Sequence, residues 1–218
     1  MFKSIHSRFF PSQIQKEFIR WEKDGGDFSN RFNYSLDSSS LVFDIGGFKG
    51  QFASDLYSRK PCKIYIFEPI KKYSLMIQER FKHNKDIRVF NFGLSNISQI
   101  TNINLLGEAS SIEVNSNFLK SDQEQVELVD LMQFVNFHKI NQIDVMKINI
   151  EGSEYDLLTH IINNEFQSKV KYFQVQFHKL NNDSSTERDK IRFQLMKSHH
   201  CIFSYKFIWE SWIRLDLL

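Results

Sequence analysis

Short apolar segments alternate with amphipathic helical patterns along most of this 218-residue chain. The segments that read as strands cover residues 41–45, 63–67, 87–92, 143–150 and 170–177. Helices are predicted between them, and the inward faces of the first two helices carry, in chain order, Phe52, Ala53, Leu56, Tyr73, Met76, Ile77 and Phe81. Such alternation predicts a mainly parallel sheet with helices on both faces and right-handed crossovers. The expected fold class is therefore α/β.

The N-terminal part reads as a separate helical element. Ser12 is predicted to cap a helix whose apolar face carries Ile14, Phe18 and Trp21. A short polar connection then leads into the first strand. We therefore expect a single domain overall, with an N-terminal helical extension, residues 1–40, and a main α/β part, residues 41–218.

The second half of the chain contains less regular stretches. Residues 93–125 are rich in Asn and Ser, so we predict a hairpin and a long inserted loop there. Asp130 is then predicted to cap a helix that carries Leu131, Phe134 and Val135. Near the end, we predict a helix at residues 187–197 and two strands on either side of Glu210.

Composition argues against several classes of partner. A net charge of +2 is too small to predict a nucleic-acid or anionic membrane partner. No apolar run approaches the ~18 residues of a membrane span, and the N-terminal residues lack the apolar stretch of a signal peptide. Cys62 and Cys201 form no C-x-x-C pair, and His199 and His200 are adjacent, so no metal site is predicted. We expect a cytoplasmic protein without stable membrane insertion.

The first predicted strand ends in the sequence DIGGFKG, residues 44–50. It does not match a P-loop, and the nicotinamide fingerprint would need glycine where Ile45 stands. Its glycines would let a ligand approach the backbone closely; they are Gly46, Gly47 and Gly50. Asp44 adds a negative charge that suits an ammonium group. Alternatively, Asp44 caps the following helix.

A second acid, Glu68, closes the second predicted strand. A carboxylate at this point can accept hydrogen bonds from both ribose hydroxyls of a bound nucleoside. Read alone, Glu68 is equally an ordinary loop acid, but together the two acids indicate a ligand with an amino acid at one end and a ribose at the other. S-adenosylmethionine is such a ligand. Gly93 and Leu94, after the third strand, are predicted to contact its adenine, unless they form an ordinary turn.

Four segments, in order, resemble the FkbM-type methyltransferases, which use S-adenosylmethionine: VFDIGGFKG, IFEP, NFGLS and DVMKINIEGSEYDLL. The last resembles the family's strand ending K-x-D-x-E-G-x-E, and its matching residues are Lys147, Glu151, Gly152 and Glu154. Asn149 stands where the family usually has Asp, and Gln176 replaces a customary acid in the next strand. The resemblance implies a Rossmann-like class I methyltransferase fold with an antiparallel C-terminal strand for residues 41–218, and S-adenosylhomocysteine as a product.

The resemblance also implies methyl transfer to oxygen, commonly a sugar hydroxyl of a glycan, glycolipid or natural product, as in polysaccharide biosynthesis. The acceptor is then a small molecule or a carbohydrate, and a homodimer is compatible with this function. Because Asn149 and Gln176 remove two acids, a catalytically impaired cofactor- or glycan-binding module is the alternative. A nicotinamide-dependent oxidoreductase ranks below both.

The catalytic candidates follow the fourth and fifth predicted strands: Glu151, Glu154 and His178. His178 is predicted to be the general base, because an ordinary histidine pKa of about 6.5 suits proton removal at neutral pH. Glu151 is predicted to position the acceptor. Glu154 could equally be a solvated acid at a helix N-terminus, and His178 a structural group. Residues 108–125, which include Ser110 and Ser111, are predicted to form a lid over the acceptor, with a disordered insertion as the alternative.

Overall fold

A computed structural model describes residues 11–104 and 123–218 of the chain. Its helices are α1 (Gln13–Lys23), α2 (Gln51–Arg59), α3 (Lys71–Phe81), α4 (Leu131–Phe137), α5 (Glu154–Asn163) and α6 (Ser184–Leu195). Its strands are β1 (Leu41–Ile45), β2 (Lys63–Phe67), β3 (Ile87–Phe90), β4 (Gly93–Ser95), β5 (Gln99–Asn104), β6 (Gln123–Asp130), β7 (Ile143–Ile148), β8 (Val170–Val175), β9 (His199–Tyr205) and β10 (Trp209–Arg214). Short 3-10 helices occur at Asn30–Phe32, Phe166–Lys169 and Leu215–Leu217.

The main sheet has seven strands in the order β3-β2-β1-β7-β8-β10-β9. The strands from β3 to β8 in this order are parallel, whereas β10 runs antiparallel to both β8 and β9. From β1, the chain adds β2 and β3 on one side and then adds β7 and β8 on the other side. The order of the strands therefore reverses at β1, between β2 and β7. In open sheets of this kind, ligands bind outside the carboxyl ends of the strands at such a point. The predicted parallel sheet with an antiparallel C-terminal strand is confirmed.

Helices cover both faces of this sheet, as the alternation of side chains along β1 shows. Val42 packs with side chains of α2 and α3, including Leu56 and Ile77. Phe43 and Ile45 point to the other face, where side chains of α4, α5 and α6 pack against them. Two apolar layers thus hold β1 in the middle of the sheet, so its carboxyl end has a fixed position.

A second, three-stranded sheet replaces the predicted hairpin. Its order is β4-β6-β5, with β6 parallel to β4 and antiparallel to β5. In the sequence of β6, charged and amide side chains outnumber the apolar ones, so the hydrophobic pattern did not predict this strand. Most of the predicted lid, including Ser110 and Ser111, lies outside the described residues, while residues 123–125 belong to β6.

Several boundaries and faces differ from the sequence prediction. The predicted strands at 87–92, 143–150 and 170–177 each end two residues earlier, because their apolar pattern continues beyond the paired part of the sheet. Glu210 lies inside β10, not between two strands: it is buried and forms ion pairs with Arg188 and Arg192. The last helix begins at Ser184 and not at residue 187.

Two side chains assigned to inward helix faces are exposed, namely Phe18 at 44% and Met76 at 47%. The N-cap of α1 is as predicted, since the Ser12 hydroxyl accepts from Gln15 N and the Gln15 side chain accepts from Ser12 N. Helix α1 touches the sheet chiefly through Trp21, which packs against Phe203 and Tyr205 of β9. The proposed division at residue 41 stays a prediction.

Within the described ranges, no helix combines the length and the apolar character needed to cross a membrane.

Candidate active site

A cavity of about 140 Å³ opens at the carboxyl ends of β1, β2 and β7, and the small sheet closes one side of it. The predicted site residues that line it are Gly46, Glu68, Gly93, Leu94 and Glu151. The others lie behind or beside this lining; they are Asp44, Gly47, Gly50, Glu154 and His178. The structure therefore brings residues from three strand ends and the second sheet together around one space.

The loop after β1 has a shape that its glycines permit. Gly46 has φ +82°, and a Cβ atom there would lie 1.9 Å from the backbone oxygen of Asn149. Gly50 has φ +73° and occupies the N-cap of α2. Gly47 is needed for packing, because a Cβ would lie 2.3 Å from Cγ2 of Ile66. Of the three, Gly46 faces the cavity, and the others shape the loop from behind.

Asp44 is fully buried and pairs with Lys147 of β7, with 2.8 Å between Oδ1 and Nζ. Lys147 also donates to the backbone oxygen of Gly46 at 2.7 Å, which ties the loop to β7. Burial lowers the pKa of Lys147, and the neighbouring Asp44 charge acts in the opposite direction. The charge of Asp44 is thus engaged inside the protein. Asp44 does not line the cavity, and its predicted pairing with a ligand ammonium group stays a prediction.

Glu68 holds two turns around the cavity while it forms part of the wall. Its Oε2 accepts from Phe48 N at 2.7 Å, and its Oε1 accepts from Ile70 N at 2.9 Å. Burial raises the pKa of Glu68 to about 7, against the opposing effect of these two backbone hydrogen bonds. Because a carboxylate oxygen can accept two hydrogen bonds, each oxygen keeps capacity for a ligand hydroxyl.

Part of the cavity wall is apolar, and this part comes largely from residues that the sequence prediction did not include. Ile70, Ile103 and Leu128 form one buried cluster beside Leu94, which is itself buried. Phe48 packs edge-on against Tyr73 with 4.6 Å between ring centroids, and both rings line the cavity. An apolar slot of this kind suits the faces of a flat ring. No sequence motif marked Ile70, Ile103 or Leu128, because they belong to the unpredicted second sheet or face it.

Glu151, His178 and Glu154 form a hydrogen-bonded cluster beyond β7 and β8. Glu154 is fully buried, and its Oε1 accepts from His178 N at 2.7 Å and lies 3.1 Å from His178 Nδ1. Its Oε2 accepts from Gly152 N at 2.8 Å. On the other side of the ring, His178 Nε2 lies 3.2 Å from Oε2 of Glu151. The sequence prediction named these three residues as catalytic candidates, and the structure places them in contact.

The imidazole of His178 is charged at neutral pH. Burial opposes its protonation, but hydrogen bonds to Glu151 and Glu154 outweigh this effect and raise the pKa of His178 to about 9. The ordinary histidine pKa of about 6.5, on which the sequence prediction relied, therefore does not hold for His178 in the folded protein. The physical reason is that two carboxylates from different elements meet at one ring, and sequence spacing does not reveal such a meeting.

Two cavity residues have left-handed backbones without being glycine, Phe48 with φ 49° and Glu151 with φ 51°. Such conformations are disfavoured for large side chains and tend to occur where surrounding structure fixes them, often at binding sites. Glu68 fixes Phe48 through its backbone N–H, and the Gly152–Glu154 hydrogen bond closes the turn that contains Glu151.

A sequence model of the methyltransferase FkbM domain matches residues 44–205. The chain belongs to the FkbM methyltransferase family. Its expected membership, its activity as a methyltransferase and its use of S-adenosylmethionine are thereby confirmed at the level of the family. The matched range contains every predicted site residue of this FkbM protein, from Asp44 to His178.

Solved structures similar to the FkbM protein share its fold at low sequence identity. One, from Clostridium thermocellum and provisionally described as an rRNA methylase, has a TM-score of 0.52 and 9% identity, covering 87% of this chain and 94% of its own. Another, a provisionally described methyltransferase from Streptococcus mutans in complex with SAH, has a TM-score of 0.50 and 10% identity, covering 85% and 94%. These likenesses confirm the Rossmann-like class I methyltransferase fold. A search of curated protein sequences found no match.

Proposed function

We propose that this FkbM methyltransferase transfers the methyl group to oxygen, on a sugar hydroxyl of a glycan, glycolipid or natural product. The observation that carries the proposal is that one cavity has two different polar ends. Glu68 provides a carboxylate after β2, and Glu151 provides one after β7, backed by His178. The first end suits the cofactor's ribose, and the second suits an acceptor hydroxyl.

The cofactor lies across the end of β1 in this proposal. The ribose hydroxyls donate to Glu68, and the adenine enters the slot beside Gly93 and Leu94. The methionine portion passes Gly46, while Gly47 and Gly50 act through the shape of the loop. The support is the position of these residues on one cavity wall, together with the apolar slot next to Glu68. The methyl group then points towards the side of the cavity where Glu151 lies.

Methyl transfer forms a bond between the acceptor oxygen and the methyl carbon while the bond from that carbon to the sulfonium sulfur breaks. The sulfur keeps the electron pair, so S-adenosylhomocysteine leaves as a neutral thioether. The acceptor hydroxyl loses its proton in the same process, and a base within hydrogen-bond reach must receive it. Alignment of the three reacting atoms supplies much of the acceleration.

We propose that the Glu151–His178 pair receives the proton of the acceptor hydroxyl, and that Glu151 is the group that faces this hydroxyl. His178 is protonated at neutral pH, so it cannot accept a proton in that state. Glu151 lines the cavity and lies next to the imidazolium. Glu154 acts as a positioning residue, because it holds both the backbone N–H and the ring of His178. This exchanges the roles first predicted for Glu151 and His178.

The proposal keeps three expectations from the sequence, which concern the cellular location, the partner and the oligomeric state. The cytoplasmic location is retained as a proposal, and the nearly balanced charge supports a carbohydrate or small-molecule partner over a nucleic acid. The likeness to an rRNA methylase at 9% identity concerns the fold alone. A homodimer is compatible with the exposed edge strand β9 at one end of the main sheet.

The experiment is a transfer assay with S-adenosylmethionine labelled in its methyl group and with panels of polysaccharides, glycolipids, glycosylated natural products, RNA and protein. We expect labelled methyl ethers on a sugar panel and no transfer by Glu151→Gln, while that variant still binds S-adenosylhomocysteine. Binding without transfer on every panel would support the alternative, a cofactor-binding module. Transfer to RNA or protein would contradict the acceptor class.

A further inference from the structure

Asn149 carries a buried side-chain oxygen that lacks a hydrogen-bond donor within the described part of the chain. The residue follows β7 directly and lines the cavity. Leaving such an oxygen unpaired is unfavourable. Because Asn149 lines the cavity, a bound ligand is in a position to supply the missing donor.

The backbone fixes where this oxygen lies relative to Glu68. Asn149 N donates to the backbone oxygen of Ile45 at 3.0 Å, and the Asn149 carbonyl touches Gly46. On the other side of β1, Ile45 pairs in register with Phe67, the residue before Glu68. Glu68 and Asn149 thus flank the end of β1, separated by about two strand spacings, or roughly 10 Å. A ligand whose ribose meets Glu68 presents its opposite end at Asn149.

The ligand group at that end is the amino acid part of S-adenosylmethionine, whose ammonium carries three N–H donors. Asp44 was the first candidate to receive them, but it does not line the cavity and its Oδ1 is paired with Lys147, whereas Asn149 lines the cavity. We propose that the side-chain oxygen of Asn149 receives the ammonium group of the cofactor. This inference rests on the cofactor placement proposed above and adds a residue to it.

The test compares two ligands that differ in this one group: S-adenosylhomocysteine and its deaminated analogue, which keeps the ribose, the sulfur and the carboxylate. Calorimetry on the wild-type protein and Asn149→Ala gives four affinities. We expect Asn149→Ala to weaken S-adenosylhomocysteine by about tenfold and the deaminated analogue by less than twofold, because only the first ligand loses a partner. Gln176→Ala is the matched control. It replaces an amide at the end of the adjacent strand, and its affinities for both ligands should equal those of the wild type.

Asn149→Asp keeps an acceptor at the same place and guards against a folding defect in the Ala variant. It should bind S-adenosylhomocysteine at least as tightly as the wild type and should raise the preference for it over the deaminated analogue. An unchanged preference in Asn149→Asp, or an equal loss of both ligands in Asn149→Ala, would overturn the assignment of the ammonium to Asn149. Failure of the wild-type protein to bind S-adenosylhomocysteine would instead overturn the cofactor placement, and this inference with it.

Discussion

His178 shows how two neighbours redefine one residue. Alone it would titrate near neutrality, but between Glu151 and Glu154 its pKa rises to about 9. An imidazolium next to Glu151 orients that carboxylate and stabilises negative charge that develops on the acceptor oxygen. The residue therefore contributes through its charge and its position, and the neutral form of the ring is not required for that role.

We expect His178→Ala to lower turnover by ~10²-fold or more, with S-adenosylhomocysteine affinity unchanged, because the variant loses the charge that orients Glu151 and stabilises the developing oxyanion, and loses no contact with the cofactor. The measurement is kcat with a confirmed acceptor, beside calorimetry. His200→Ala is the control, since His200 is exposed on β9 and distant in sequence from the cluster. A His178→Ala protein within a few-fold of wild type would mean that positioning of the acceptor carries the rate without the imidazolium.

We expect Glu68 to make cofactor affinity depend on pH. Its pKa in the folded protein is about 7, above its ordinary value, so it gains a proton as pH falls through neutrality. Ribose hydroxyls donate more strongly to the ionised form, and affinity for S-adenosylhomocysteine should therefore rise between about pH 6 and pH 8. Glu68→Gln should bind more weakly and lose this pH dependence.

The same raised pKa has a consequence for folding. Because the folded state disfavours the ionised carboxyl, Glu68 favours folding at low pH and loses that contribution as pH rises from about 4.5 to about 7. Calorimetric affinities between about pH 6 and pH 8, with Glu79→Gln as an exposed control, check the binding prediction of the previous paragraph. A pH dependence that survives in Glu68→Gln would show that another group controls it.

Between elements, β1 and β7 are joined by a buried ion pair as well as by backbone hydrogen bonds. Lys147→Met should lower the free energy of unfolding by about 3–5 kcal/mol, because it leaves the Asp44 carboxylate buried without a partner. The double variant Asp44→Leu/Lys147→Met removes both charges and should recover part of that loss. Urea denaturation of the two single variants and the double variant gives the coupling. A double variant as unstable as the sum of the singles would show that the pair is not coupled.

At the level of elements, the sequence was most informative for strands that are buried on both faces, because their apolar runs are nearly continuous. The bounds of β1 and β2 were predicted as the structure has them. The apolar run of β1 ends at Ile45, directly before the glycine turn, and that of β2 ends at Phe67, directly before Glu68-Pro69. Strand β6 was missed because its partners β4 and β5 are distant in sequence, and pairing across such distances leaves no local pattern. The cavity wall that β5 and β6 provide was missed with it.

The site was predictable to a similar extent and for similar reasons. Glu68, Gly46 and Glu151 stand in motifs at strand ends, and parallel topology alone brings strand ends together. The engagement of Asp44 by Lys147 could not be read from the sequence, since both residues simply appear as motif positions. Asn149 was visible as a departure from the family pattern, but its unpaired oxygen is apparent only in three dimensions.

At the scale of the whole molecule, the N-terminal extension is part of the same core as the main sheet. Phe32 stacks on Phe52 with centroids 5.7 Å apart, and the Tyr34 hydroxyl donates to the buried side chain of Gln174 at 2.8 Å. We therefore expect a chain that begins at residue 41 to lose cooperative unfolding, measured by circular dichroism during heating. Tyr34→Phe in the full chain should lose only about 1 kcal/mol, because it removes one hydrogen bond and keeps the packing.

Loss of cooperative unfolding in the chain that begins at residue 41 would show that the extension belongs structurally to the catalytic domain. Independent, reversible melting of the shorter chain would instead support residues 1–40 as a separable element.

The order of strands in the main sheet also bears on how the protein is made in the cell. Strand β10 lies between β8 and β9, although it is synthesised after both. While the ribosome adds residues one at a time, β8 has no neighbour on its outer side until residues 209–214 emerge. A growing chain thus exposes an open strand edge until β10 emerges, and such an edge can pair with other chains. Chaperone capture of the nascent protein should consequently be strongest just before β10 leaves the exit tunnel.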